Sequence, residues 1–108
     1  MKPINIKELK ENIDGKGMGN AVLIDVREPD EYSEGHIPEA INIPLGEISL
    51  KFGFLNKYDA IYVVCQTGGR SQVACQSISR KLGVKKKVVN IEGGTSAWIK
   101  SGYKVIKQ

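Results

Sequence analysis

Three short, uninterrupted apolar runs constrain this chain most. They are Ala21-Val22-Leu23-Ile24, closed by Asp25; Ala60-Ile61-Tyr62-Val63-Val64; and Val88-Val89-Asn90-Ile91. A strand with one wet face alternates apolar and polar residues. Runs without that alternation suit strands buried on both faces, as in a parallel sheet with helices on either side. Helix-like segments separate them. Residues 71–82 are the clearest, with Ala74, Cys75, Ile78 and Leu82 on one face and Gly83 as the stop. Strand-like and helical stretches alternate along the chain, which predicts an α/β fold with a mainly parallel sheet. In such sheets ligands sit beyond the carboxyl ends of the strands.

The remaining segments fit this frame. Ile4-Asn5-Ile6 reads as a short strand, and residues 7–13 as an amphipathic helix with Leu9 and Ile13 four apart. Residues 14–20 form a glycine-rich turn expected to be mobile. Pro29 opens a short helix that Gly35 ends. Residues 40–43 alternate like a strand and stop at Pro44, and residues 47–52 read as a weak helical turn. A last helix, residues 95–100, follows Gly93-Gly94. The expected sheet has five strands, and the 108 residues suffice for one domain.

Composition narrows the function classes. No apolar stretch approaches the roughly 20 residues that span a bilayer. The first residues, from Met1, lack the apolar core of a signal peptide, so a cytoplasmic location is the default expectation. The net charge of +4 comes without a nucleic-acid motif, and Lys85-Lys86-Lys87 reads as a solvated loop. Two cysteines and one histidine, His36, make no metal spacing, so neither a metal nor another cofactor is expected.

Chemistry concentrates at Cys65-Gln66-Thr67-Gly68-Gly69-Arg70-Ser71. A cysteine leaves a strand end, a Gly-rich turn follows, and Arg70 opens a helix. Backbone N–H groups of such a turn can converge on the sulfur, and the helix N-terminus adds its positive end. Both favour the thiolate, which is the nucleophile.

Three segments then resemble signatures of the rhodanese (sulfurtransferase) family: residues 23–44, with Asp25-Val26-Arg27 and Gly35-His36-Ile37-Pro38; the loop 65–71; and residues 90–103, with Gly93-Gly94 and Trp98. Order and spacing match over nearly the whole chain, as in a stand-alone rhodanese domain covering residues 1–108. The family often has Gly after the Pro of Gly-His-Ile-Pro. Here Glu39 sits there, a mild strain if the position needs positive φ.

The resemblance implies that Cys65 attacks the sulfane sulfur of a donor such as thiosulfate or a persulfide. A Cys65 persulfide forms, and a cyanide or thiol acceptor removes the sulfur, the thiol coming from a small molecule or a protein partner. Gln66, Thr67, Gly68, Gly69, Arg70 and Ser71 would bind the donor, with Arg70 holding the anion and favouring the thiolate. Ser71 could equally cap the helix or pack. Asp25 and Arg27 are read as an ion pair fixing the following loop in preference to rim residues of the site. His36 is read as ordering a turn, Trp98 as buried against the sheet, and Cys75 as packing. Neither nucleic acid nor membrane is expected as a partner.

Two other classes share the features. Cysteine phosphatases and arsenate reductases also use a thiolate in an anion loop ending in Arg, but the phosphatase signature has five residues between Cys and Arg. This chain has four, a tighter loop suited to a single sulfur. A sulfur carrier acting between proteins would keep Cys65, whereas a pure binding module would be expected to lack it.

Overall fold

The computed structural model describes residues 2–15 and 17–108. Lys16, within the expected glycine-rich turn, and Met1 lie outside the described residues. The elements run α1 (Ile6–Gly15), β1 (Ala21–Asp25), α2 (Pro29–Glu34), β2 (Ile41–Asn42), a 3-10 helix (Leu45–Lys51), α3 (Phe52–Leu55), β3 (Ala60–Val64), α4 (Gly69–Leu82), β4 (Lys87–Asn90) and α5 (Gly94–Lys100). The strands form one parallel sheet in the order β2-β1-β3-β4.

The doubly apolar runs explain the layers. Val22, Ile24, Ile61, Val63 and Val88 point to one face, where Ile48 of the 3-10 helix, Leu55, and Ala74, Cys75 and Ile78 of α4 cover them. Leu23, Tyr62, Val64 and Val89 point to the other, under Ile6 and Leu9 of α1 and Trp98 of α5. β1, β3 and β4 therefore each feed two cores through their period-2 side chains.

Among the described residues the sheet has four strands, not five. Ile4 makes only an isolated parallel bridge to Ile91. The reason is local. The Asn5 side-chain oxygen accepts from the Glu8 N–H at 2.9 Å, and the Glu8 carboxylate accepts from the Asn5 N–H at 3.4 Å. This reciprocal cap starts α1 at Ile6 and ends strand pairing after one residue. The strand expected at residues 40–43 shortens to Ile41–Asn42.

Two smaller expectations also change. The Lys86 ammonium donates to the carbonyls of Asn56 and Tyr58, both at 2.7 Å, and the Lys87 ammonium lies 5.9 Å from the Tyr62 ring centre. Lys86 is thus half-buried, while Lys85 and Lys87 stay exposed as expected, Lys87 as the first residue of β4 and not in a loop. Glu39 is unstrained, since no described residue other than glycine has positive φ.

Candidate active site

The loop 65–71 joins the carboxyl end of β3 to α4, beyond the strand ends, where the topology places ligands. Gly68 is its bend. Its φ of 120° lies in a region that side-chain-bearing residues avoid. Gly69 has no such demand, because it already belongs to α4.

Cys65 is 1% exposed. The Gly68 N–H donates to its sulfur at 3.1 Å, and the thiol donates to the Ser71 hydroxyl oxygen at 3.3 Å. Burial pushes the Cys65 thiol up, but hydrogen bonds from the Ser71 hydroxyl and from the backbone of Ser71, Gly68 and Thr67 outweigh it. The thiol therefore ionises below the ordinary value of 9.0. Cys75 contrasts with it. Its thiol, on the inner face of α4, is pushed up to about 12, first by burial and then by the charge of Cys65. Both cysteines are free. Iodoacetamide is thus expected to label Cys65 with a pH midpoint below 9.0 and to spare Cys75 until the fold opens. Equal labelling of both at neutral pH would contradict this difference.

Arg70 does not point freely outward. Its guanidinium meets the Glu31 carboxylate of α2 in a two-pronged pair, Nη1 to Oε1 at 2.7 Å and Nη2 to Oε2 at 3.0 Å. The Arg70 hydrogen bonds, helped by the Glu28 N–H and opposed by burial, hold Glu31 down at about 2. A depressed carboxylate stabilises the fold above its ordinary value of 4.5 and loses that contribution as pH falls toward 2, so the pair stays intact at neutral pH.

Gln66 both brackets the loop and lines a cleft that it shares with Arg27, Glu31, Gly35 and Ile99. Its carbonyl accepts from Arg27 Nη1 at 3.1 Å, and its amide donates to Ser96 Oγ at 3.1 Å. Thr67 is exposed on the outer rim of the loop. Ser71 is fully buried, its oxygen 3.1 Å from the Gly68 carbonyl and 2.5 Å from Asn90 Oδ1.

Asp25 and Arg27 form the expected pair. Arg27 Nη2 lies 2.8 Å from Asp25 Oδ2, and both side chains are buried. Because Arg27 also reaches Gln66 and the Gly35 carbonyl, this pair ties the β1 end to the cysteine loop and to the end of α2. His36 is buried, stacked on Tyr32 with ring centres 3.6 Å apart, and its Nδ1 is 2.8 Å from the Tyr32 carbonyl. Trp98 is 2% exposed, and its indole N–H donates to the Lys104 carbonyl at 2.8 Å. Among the described residues no group of His, Cys, Asp and Glu could hold a metal ion. Among the described residues no helix is long and apolar enough to cross a membrane.

The sequence reading missed Glu31, Asn90, Gly94 and Ser96. Gly94 supports the loop by backbone contact. The N–H groups of Thr95 and Ser96, opening α5, donate to the carbonyls of Cys65 and Gln66 at 2.9 and 3.0 Å. That grip needs close approach: a Cβ on Gly94 would lie 2.5 Å from both carbonyl oxygens. The Gly93-Gly94 pair was the available signal, but as a turn it did not reveal what it touches.

Comparison with known proteins gives a consistent picture. The profile of the rhodanese-like domain matches residues 5–101. YtwF of Bacillus subtilis, provisionally named a sulfurtransferase, is 38% identical over 98 residues, which cover 91% of this chain and 90% of YtwF. YrkF of the same organism, provisionally named a sulfur carrier protein, is 38% identical over 95 residues, 88% of this chain and 49% of YrkF. This chain therefore spans about half the length of that relative. A crystal structure of a rhodanese-related protein from Thermoplasma volcanium superposes with a TM-score of 0.83 at 34% identity, over the whole of both chains.

Proposed function

The chain belongs to the rhodanese-like family, and from that membership we propose that its 108 residues act as a single-domain sulfurtransferase with Cys65 as the sulfur-carrying nucleophile. The observation that carries the reading is a buried sulfur faced by backbone N–H groups and the Ser71 hydroxyl, with Arg70 close enough for its charge and that of Cys65 to interact. The donor is thiosulfate or another sulfane species. In the first half-reaction the Cys65 thiolate attacks the outer sulfur, the S–S bond of thiosulfate breaks, and sulfite leaves with its electron pair. In the second, a thiol or cyanide takes the outer sulfur and returns the thiolate. Negative charge stays on sulfur throughout, so fixed N–H donors lower both barriers, as an oxyanion hole does for oxygen.

The four residues between Cys65 and Arg70 support sulfur over phosphorus as the electrophile, because they make a small ring of donors. A protein-to-protein sulfur carrier is the second reading, favoured by the likeness to YrkF. The two differ in what accepts the sulfur, not in the persulfide.

Intact-mass spectrometry after incubation with thiosulfate tests the proposal. One added sulfur is expected, and it is expected to persist in Cys75→Ala. A mass unchanged by both thiosulfate and polysulfide, with turnover of an aryl phosphate instead, would replace this reading with a phosphatase.

The Glu31–Arg70 pair yields a kinetic expectation. An incoming dianion competes with the Glu31 carboxylate for the guanidinium, since that carboxylate stays charged at neutral pH. Glu31→Gln is expected to lower KM for thiosulfate by up to about fivefold, the range for a partly exposed charge contact, while kcat changes little. A raised KM would instead mean that Glu31 holds Arg70 ready for the donor.

A further inference from the structure

Asn90 lies where β4 ends, on two boundaries at once. One is the buried network under Cys65. The other is a cleft of about 350 Å³ lined by residues that include Lys2, Gln72, Cys75, Gln76 and Glu92. The amide's orientation follows from its partners. The Gly68 carbonyl can only accept, so the Asn90 NH₂ faces it at 3.3 Å, and Oδ1 faces the Ser71 hydroxyl at 2.5 Å.

The Ser71 oxygen has one proton and three neighbours: the Cys65 sulfur at 3.3 Å, the Gly68 carbonyl at 3.1 Å and Asn90 Oδ1 at 2.5 Å. While Cys65 is a thiol, the S–H donates to Ser71, and Ser71 donates on to Asn90. When Cys65 is a thiolate, its sulfur has no proton to give and becomes the strongest acceptor in reach. The Ser71 proton must then turn to it and leave Oδ1. In the persulfide the inner sulfur is neutral, and the proton returns.

We propose that Asn90 is a positioning residue that holds the Ser71 hydroxyl proton whenever the Cys65 sulfur is neutral and releases it to the sulfur when the thiolate forms. The proposal rests on the sulfur-transfer reading for its place in the cycle. The bordering cleft makes the exchange cheap, because water there can occupy Oδ1 once the hydroxyl turns away. Among the described residues the other acceptor in reach of that proton is the Gly68 carbonyl, whose two lone pairs already take the Gln72 N–H at 3.2 Å and the Asn90 amide at 3.3 Å.

Other charges around the sulfur are accounted for. Arg70 on α4 is paired with Glu31 of α2, and Asp25 on β1 with Arg27. Cys75 on α4 is held protonated. Glu92 and Lys2 line the cleft beside Asn90.

The test is the pH dependence of Cys65 alkylation by iodoacetamide in Cys75→Ala protein, with circular dichroism checking that each variant is folded. It needs no sulfur donor, so its failure is separable from failure of persulfide formation, read by mass spectrometry on unalkylated protein of each variant. Asn90→Ala removes the competing acceptor and is expected to move the midpoint down by about half a unit. Asn90→Asp keeps the shape but fixes the proton and adds a charge, moving it up by about one unit or more. In a Ser71→Ala background, Asn90→Ala is expected to shift nothing, since the two act through one proton. The proposal is overturned if Asn90→Ala raises the midpoint or leaves it in place, or if its shift survives without Ser71.

Discussion

Cys65→Ser is expected to remove sulfur transfer while leaving the fold intact. The variant changes one atom in a site that is 1% exposed, so packing is nearly kept. Chemistry is not. An alcohol does not ionise near neutral pH, even with donors from Gly68 and Ser71, and alkoxide oxygen is a poor partner for sulfane sulfur. Turnover is expected to fall by at least about 10³-fold, as for loss of a covalent nucleophile elsewhere. Thermal stability is expected to shift by no more than about 1 kcal/mol. Mass spectrometry checks the first part and thermal denaturation the second. Residual turnover within tenfold of the parent protein would place the nucleophile elsewhere. A sulfur adduct on Cys75 would do the same, though that thiol is held protonated up to about 12.

Gly94→Ala is expected to damage both fold and activity, without touching any reacting group. The added Cβ would sit 2.5 Å from the carbonyl oxygens of Cys65 and Gln66 and 2.7 Å from the Gln66 carbonyl carbon. All three are backbone atoms, so no side-chain rotation relieves the contact. The residue also has φ of +60°, which costs an L side chain roughly 1–2 kcal/mol. Overpacking adds about 1–3 kcal/mol. The Thr95 and Ser96 hydrogen bonds to the loop carbonyls lengthen as α5 backs away. At about 4–8 °C per kcal/mol for a domain near this size, Tm is expected to fall by 10 °C or more. The protein that remains folded is expected to lose persulfide formation as well, because the loop donors no longer converge. Gly69→Ala is the contrast: nothing lies within 4 Å of its Cβ and its φ is not positive, so stability is expected to hold. A Gly94→Ala protein as stable as the parent would show that α5 does not brace the loop.

The legible and illegible parts of the site divide by range of interaction. The Cys65 loop stood out because its parts are adjacent in the chain, with Gly68 and Ser71 meeting the sulfur from three and six residues away, although the Ser71–Cys65 hydrogen bond itself was not foreseen. The Asp25–Arg27 pair was readable for the same reason, being two residues apart. Glu31 joins Arg70 across 39 residues, Asn90 joins Ser71 across 19, and Ser96 joins Gln66 across 30. Nothing in local spacing selects such partners. Arg70 shows the consequence. Its sequence context suggests a free anion-binding cation, whereas in the fold a carboxylate from another helix already occupies it. Ile4 shows a second kind of miss, where an overlooked local cap at Asn5 overrode a strand-like triplet.

By itself the sequence determined the layered parallel architecture, because residues apolar on both sides of a strand have no stable place except between two helical layers. It also set the cysteine loop, because cysteine, glycines and a helix start act on one another through adjacent backbone. Tertiary structure decided the rest: how many strands pair, which carboxylate holds Arg70, which acceptor shares the Ser71 proton and which glycine lets α5 close on the loop. Those depend on distances of a few ångströms between segments far apart in the chain, and only the packed fold sets them.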